Sequence, residues 1–191
     1  MLPGSETFVR NHGAALPSWE AAYLGATKVG SPLALPSDVI TFPPTPEGRR
    51  AFLRLRLTGE SPRLRSVLSR LRPDLVHAHY LIEFGWHAWI AGFHPYAITV
   101  WGSDVSASIP RSLRTRLFGR MSLRRADLVT GVSMALVRDA INAGARPETA
   151  RHIHFGVDTD RFAPGPDPLA LRERLGLQGR RIVFSPRALT T

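Results

Sequence analysis

Two histidine pairs, His77/His79 and His152/His154, are each spaced two residues apart within short apolar runs of this 191-residue chain. On an extended strand such side chains share one face, which sets two imidazoles side by side as a metal site would need them. No third ligand is spaced to join either pair, so metal binding is not expected there. His77 reads as a hydrogen-bonded buried histidine. His79, at the end of its run, is open to a functional or a structural reading. The cluster Trp101-Gly102-Ser103-Asp104 closes the run Tyr96–Val100. An indole offers a flat apolar face and one donor, which suits packing against a ligand. Asp104 can accept hydrogen bonds from a ligand, or can simply cap a helix. Asp158-Thr159-Asp160 has the Asp-x-Asp spacing of a manganese site, yet it precedes Arg161-Phe162 and Pro164-Gly165-Pro166. A turn or cap is the better account there.

The elements that must hold these residues follow from four runs rich in Val, Ile and Leu. Asp74–Ala78 leads into His79-Tyr80, Tyr96–Val100 into Trp101, Asp127–Thr130 into Gly131-Val132-Ser133, and His152–Phe155 into Gly156-Val157-Asp158. Helix-length stretches separate them, which predicts buried parallel strands in an α/β, Rossmann-like sheet with flanking helices. Ligands of such sheets sit beyond the carboxyl ends of the strands, where the unusual residues lie. Helices are predicted from Ser5 to about Leu16, over Glu47–Leu57, Pro62–Leu71, Phe84–Gly92 and 111–125, and from the Ser133 cap to Ala143, closed by Gly144. Trp86 and Trp89, three apart, read as core. Short strands are predicted at Ala21–Gly25 and Val39–Phe42, within a proline-rich stretch. After the proline-glycine linker come a helix at Asp167–Leu175 and one more strand at Arg181–Ser185. The organisation expected is therefore a first domain over residues 1–163, then a linker and the start of an incomplete second domain over 164–191.

Charge and composition narrow the partners. The net charge is +10, with a single lysine, Lys28, and 24 arginines. Eight arginines lie between Arg49 and Arg72 and six between Arg111 and Arg125, the latter without an acid. Such segments are solvated helix faces, an anionic membrane surface or a nucleic-acid footprint. No aromatic-studded sheet motif, zinc finger or helix-turn-helix pattern accompanies the charge, so nucleic acid is not expected as a partner. In 111–125, Leu113, Leu117 and Met121 recur at four-residue steps, flanked by Arg114, Arg116, Arg120 and Arg124. That pattern fits an interfacial helix dipping into lipid, and equally a helix packed on a sheet. The chain has no cysteine, which excludes disulfides and thiolate metal sites. Its longest apolar stretch, Leu81 to Phe93, contains Glu83 and His87 and is too short to span a bilayer. A cytoplasmic protein, either soluble or peripheral at the inner face of the membrane, is the expectation.

DLVHAHY, TVWGSD, ADLVTGVS, HFGVDTDRFAPG and IVFSPRAL, in that order, resemble the acceptor-domain half of a retaining glycosyltransferase of family 4. GSETFVRNH resembles the loop and first helix that follow the first strand in that family. The likeness runs from Pro3 to Leu189, with residues 26–72 uninformative. It implies the N-terminal half of a GT-B fold, a nucleotide-sugar donor, a glycan, lipid-linked or small-molecule acceptor, retention, and no obligatory metal or other cofactor. Residue by residue, Gly4 and Ser5 match the loop near the cleft, and His79 matches the polar end of a strand. Trp101-Gly102-Ser103-Asp104 stands where many members have His-Gly-x-Asp, so the family's histidine is a tryptophan here, whose flat ring suits stacking on a sugar face, and the resemblance leaves Asp104 to bind an acceptor hydroxyl. Arg187 matches the arginine that contacts the donor diphosphate. The lysine and paired glutamates of the donor site lie beyond Thr191, so these 191 residues alone are expected to be inactive. The alternative is a non-catalytic Rossmann-like module that associates with an anionic membrane surface or a protein partner.

Overall fold

All five residues of the run Tyr96–Val100 are buried, the mark of a strand covered on both faces of a parallel sheet. A computed structural model describes the chain over residues 7–26, 30, 34–43, 45–58, 61–106, 112–165 and 169–183. Its elements are α1 (Thr7–Ala14), β1 (Leu24–Gly25), β2 (Val39–Ile40), α2 (Pro46–Thr58), α3 (Pro62–Leu71), β3 (Val76–His79), α4 (Trp86–Ala91), β4 (Tyr96–Val100) and α5 (Ser103–Ser106), then α6 (Leu113–Arg125), β5 (Leu128–Gly131), α7 (Met134–Ala143), β6 (Ala150–His152) and α8 (Leu169–Arg174). The chain divides into two units, Met1–Phe155 and Gly156–Thr191.

In the first unit β3, β4, β5 and β6 form one parallel sheet in that order. The predicted strands thus pair as an α/β architecture, with β1 and β2 as a separate parallel pair. Register sets His79 beside Thr99 and Val100 beside Gly131, which aligns the carboxyl ends of β3, β4 and β5. The core is built on this sheet by Leu81, Ile98, Val100, Leu123 and Val129, all 0–1% exposed. Burying each such side chain contributes roughly 1.5–3 kcal/mol. Trp86 and Trp89 pack on a smaller cluster of Phe42, Leu55 and Ile90, as their spacing suggests.

Local chemistry explains several boundaries. Ser133 Oγ accepts from the Leu136 N–H to start α7, and Gly144, at φ 125°, ends it. Gly144 is also where α7 meets α6, since a Cβ there would lie 2.6 Å from Arg120 Cγ. Between β3 and α4 the backbone makes a wide turn over Leu81–Gly85, in which the Gly85 N–H reaches back to the Tyr80 carbonyl. Sequence periodicity merges that turn into the following helix. It also misses α5 and the short 3₁₀ turn Pro147–Thr149.

The second unit holds a turn and α8. The Asp158 carboxylate accepts from the N–H groups of Asp160 and Arg161, so this aspartate caps a turn. Phe162, Leu169, Leu175 and Val183 are exposed. Residues 181–183 of the predicted final strand pair with no strand among the described residues. A strand without a neighbour has no ladder to hold it. The rest of that strand, 184–185, lies outside the described residues. No described helix is long and apolar enough to cross a membrane.

Candidate functional site

The carboxyl ends of β3 and β4 carry the site. The chain leaves β3 through Tyr80, which has φ 74°, and leaves β4 through Gly102, at φ 122°. Left-handed backbone is strained for a bulky residue such as Tyr80 and tolerable for glycine, so the surrounding structure must hold the first bend in place. Asp104 does so. It is 4% exposed. Its Oδ2 accepts from the Leu81 N–H at 2.8 Å. Its Oδ1 accepts from the N–H groups of Trp101 at 3.0 Å and Gly102 at 2.9 Å. One carboxylate thus joins the two strand ends. Of the two expectations for Asp104, the observed contacts resemble a cap, although the groups it serves come from two loops rather than from one helix.

The clamp brings His79 and Trp101 together, with ring centroids 5.8 Å apart. Both lie beside side chains from distant segments. Phe8 of α1 packs 4.0 Å from the Trp101 ring, and Phe155, just after β6, 4.7 Å from it. His12 of α1 lies 5.5 Å from His79, and Tyr80 lies 6.0 Å from Trp101. Trp101 is therefore part of an aromatic wall. Two buried nitrogens in this wall, His79 Nδ1 and Trp101 Nε1, have no hydrogen-bond partner among the described residues. Buried polar atoms are almost always paired, so two orphans at one corner mark a place where a ligand's hydroxyls or carbonyls fit.

The histidines here are poor bases. Burial of its ring, then the neighbouring His77 and His12, pull the His79 pKa down to about 3. His77 is hydrogen-bonded as expected but exposed rather than buried; its pKa nevertheless falls to about 4, first from the protein packed around its ring and then from His12. His77 Nε2 lies 2.7 Å from Thr99 Oγ1, which is 2.7 Å from Thr130 Oγ1, so a short polar chain crosses three strands. Neutral imidazoles hydrogen-bond and do not repel one another. Among the described residues no set of three or more His, Asp or Glu is arranged to hold a metal ion.

Of the residues singled out in the sequence, His79, Trp101, Gly102 and Asp104 meet at this corner, and Ser103 opens α5 beside them. Gly4, Ser5 and Arg187 lie outside the described residues. Phe8, His12, Tyr80 and Phe155 were missed. For Phe155 the available signal was its place at the end of a predicted strand, although β6 itself stops at His152. Phe8 and His12 sit on α1 with no local mark of function. The four arginines lie elsewhere, on α6, and do not share one environment. Arg116, Arg120 and Arg124 are exposed on its outer side. Arg114 is exposed as well, but its guanidinium lies 5.4 Å above the Trp86 ring and 5.3 Å from that of Phe118.

Comparison with known proteins agrees with this architecture. The family model described as Glycosyltransferase Family 4 matches residues 4–161. A GDP-mannose-dependent alpha-(1-6)-phosphatidylinositol monomannoside mannosyltransferase of Mycolicibacterium smegmatis is 47% identical over 70 residues, 34% of this chain and 18% of that protein. Anabaena HepE in complex with UDP-glucose superposes with a TM-score of 0.52 at 23% identity, over 75% of this chain and 37% of that one. The same protein with UDP and glucose gives 0.51 at 24% identity, over 73% and 37%. These structural matches speak for the fold, a GT-B glycosyltransferase fold of which this chain spans the smaller part. The match over residues 4–161 covers the whole clamped corner, and the chain belongs to Glycosyltransferase Family 4.

Proposed function

We propose that this chain supplies the acceptor side of a glycosyltransferase, which moves a sugar from a nucleotide-sugar to a lipid-linked, glycan or small-molecule acceptor. Retention at the anomeric carbon, and independence from metal or any other cofactor, are part of the proposal. The acceptor side is residues 1–163, and residues 164–191 begin the donor side. The observation that carries the reading is the pair of ring nitrogens of His79 and Trp101, without partners among the described residues, in an aromatic wall beyond the ends of parallel strands. Saccharides match that chemistry, with C–H faces for indole and hydroxyls for stranded nitrogens. The mannosyltransferase relative, by its name, acts on a mannosylated phosphatidylinositol, which supports a lipid-linked acceptor. The complexes of HepE with UDP-glucose and with UDP support a nucleotide-sugar donor.

The residues divide the work as follows. Trp101 packs against the acceptor sugar, and His79 hydrogen-bonds one of its hydroxyls. A pKa of about 3 leaves His79 neutral at pH 7 and too weak a base for efficient proton removal, so it orients the hydroxyl without deprotonating it. Asp104 positions both. By the family resemblance Gly4 and Ser5 serve the acceptor from the cleft side and Arg187 serves the donor diphosphate, where a cation stabilises the charge of the leaving group. On this reading the 191 residues alone bind acceptor but do not turn over a donor.

Calorimetric titration with a soluble mannosyl-inositol headgroup tests the proposal. Trp101→Ala is expected to weaken binding about tenfold, equivalent to roughly 1.4 kcal/mol. His79→Gln, which keeps a hydrogen-bonding group, is expected to bind better than His79→Ala. Failure of the chain to bind any saccharide, or unchanged binding by Trp101→Ala, defeats the reading. Sugar transfer by the 191 residues unaided defeats its last clause.

A further inference from the structure

The two stranded nitrogens of the acceptor corner lie under a cover. His79 Nδ1 and Trp101 Nε1, without partners among the described residues, are both buried. The cover is α1. Phe8 and His12, four residues apart, share the inner side of that helix. They rest on Trp101 and His79, with ring centroids 4.0 and 5.5 Å apart. Arg10 and Gly13 occupy the outer side, where the segments leading into β1 and β2 grip them. The Arg10 guanidinium donates to both oxygens of Asp38, the residue before β2, at 2.6 and 2.5 Å. This pair is nearly out of water, its side chains 13% and 1% exposed. The same guanidinium lies 4.0 Å above the ring of Tyr23, the residue before β1. The Tyr23 hydroxyl donates to the Arg10 carbonyl at 3.3 Å, and a Cβ on Gly13 would collide with that hydroxyl.

We propose that α1 is a movable cover over the acceptor corner, and that Arg10, Asp38 and Tyr23 are positioning residues that latch it shut and so set acceptor affinity. The proposal rests on the saccharide reading above and adds its control. Two unpaired nitrogens sealed in a permanent core only destabilise it. Under a cover that opens, they are the hydrogen bonds that a saccharide gains on entry. The outer contacts then work against binding, because only the open fraction of molecules is competent and apparent affinity falls by that fraction. An ion pair out of water suits this task. Neutralising one partner strands the other charge inside the closed state, whereas opening returns both to solvent. Substitutions at the latch therefore act on the closed state and spare the open one.

The chain has no cysteine, so a single introduced thiol reports opening without any ligand. In His79→Cys, modification by dithiobis(nitrobenzoate) is expected to be slow, and about tenfold faster once Asp38→Asn is added. Tyr23→Phe, which loses one hydrogen bond, should speed it about threefold. Ser122→Cys, fully buried in α6, should label at one rate with or without Asp38→Asn, which separates movement of α1 from general unfolding. Stopped-flow mixing with the soluble mannosyl-inositol headgroup is the second arm. Asp38→Asn is expected to bind about tenfold faster and tighter than the parent, and Asp38→Glu, which restores the charge, to return toward the parent. Labelling of His79→Cys at the rate of an exposed thiol, or equal acceleration at Ser122→Cys, overturns the proposal. So does weaker saccharide binding by Asp38→Asn, because the ion pair then builds the site rather than closing it. If no variant binds a saccharide, the function proposed above falls; selective labelling would still show the latch, and unselective labelling would remove both.

Discussion

Two neighbouring strand ends in one sheet are finished in opposite ways. Where β5 ends, Gly131 passes the chain to Ser133, whose hydroxyl caps α7 in the ordinary manner. Where β3 and β4 end, Tyr80 and Gly102 have positive φ, a buried carboxylate ties two loops together, and two ring nitrogens lack partners among the described residues. The β5 end satisfies its own backbone locally. The other stores strain and unmet hydrogen-bonding capacity, and holds both through a residue that comes later in the chain. Strain and orphaned polar atoms persist only where surrounding structure insists on them, which is why they gather at binding sites. The contrast separates a connection from a site within a single sheet.

Substitutions can break this contrast. The largest effect is expected for Asp104→Ala, which strips the acceptor from three N–H groups. Hydrogen bonds to a charged group contribute about 1.5–3 kcal/mol each, and the three share one carboxylate, so a loss of roughly 3–5 kcal/mol is expected in urea unfolding. Asp104→Asn should cost less, about 2 kcal/mol, because its amide keeps one acceptor oxygen but sets a donor against another N–H.

Acid should act more strongly on the site than on the β5 end. The folded pKa of His79, about 3, lies below its ordinary value of 6.5. Its contribution is therefore full above pH 6.5 and is lost as pH falls from there toward 3, while the unfolded chain takes up a proton that the folded one refuses. The slope for this one group reaches about 1.4 kcal/mol per pH unit. Denaturant midpoints measured from pH 7 to pH 4 should fall less steeply in His79→Phe than in the parent. Parallel curves would show that His79 is not the buried neutral group described above.

The smallest pair sharpens the comparison directly. Gly102→Ala, at φ 122° with its nearest neighbour at a comfortable 3.8 Å, should cost about 1–2 kcal/mol through backbone strain alone. Ser133→Ala should cost about 1 kcal/mol through the lost cap. Only the first should also impair saccharide binding, because only the first re-aims Trp101. Equal loss of binding in both would erase the distinction between the two strand ends.

The two ends also differ in how far the sequence reveals them. The span of β4, and Ser133 and Gly144 at the ends of α7, can be read from the chain because strand pattern, cap and stop are local signals. The paired helices over residues 46–71 were legible for the same reason, with proline and glycine punctuating them. The clamp was not legible. Asp104 invites a helix-cap reading because the Leu81 N–H it serves lies 23 residues away. The wide turn at Leu81–Gly85 follows from that same tertiary bond and has no periodicity of its own. His79 and Trp101 could be picked out by type and position at strand ends, whereas Phe8 and Phe155 join the wall only because the fold brings α1 and the end of β6 to it.

The stacking of Arg114 over Trp86 has an optical consequence. Trp86 also lies nearly parallel to Phe118, 4.5 Å away, so one indole of the core is covered by two residues of α6. Its emission is set by the position of a helix whose opposite side is exposed. The chain thus carries a native fluorophore beneath that helix, and a Trp86→Phe difference spectrum isolates its signal from Trp19, Trp89 and Trp101. Anything that tilts or unwinds α6 from outside is then visible from within, without a label.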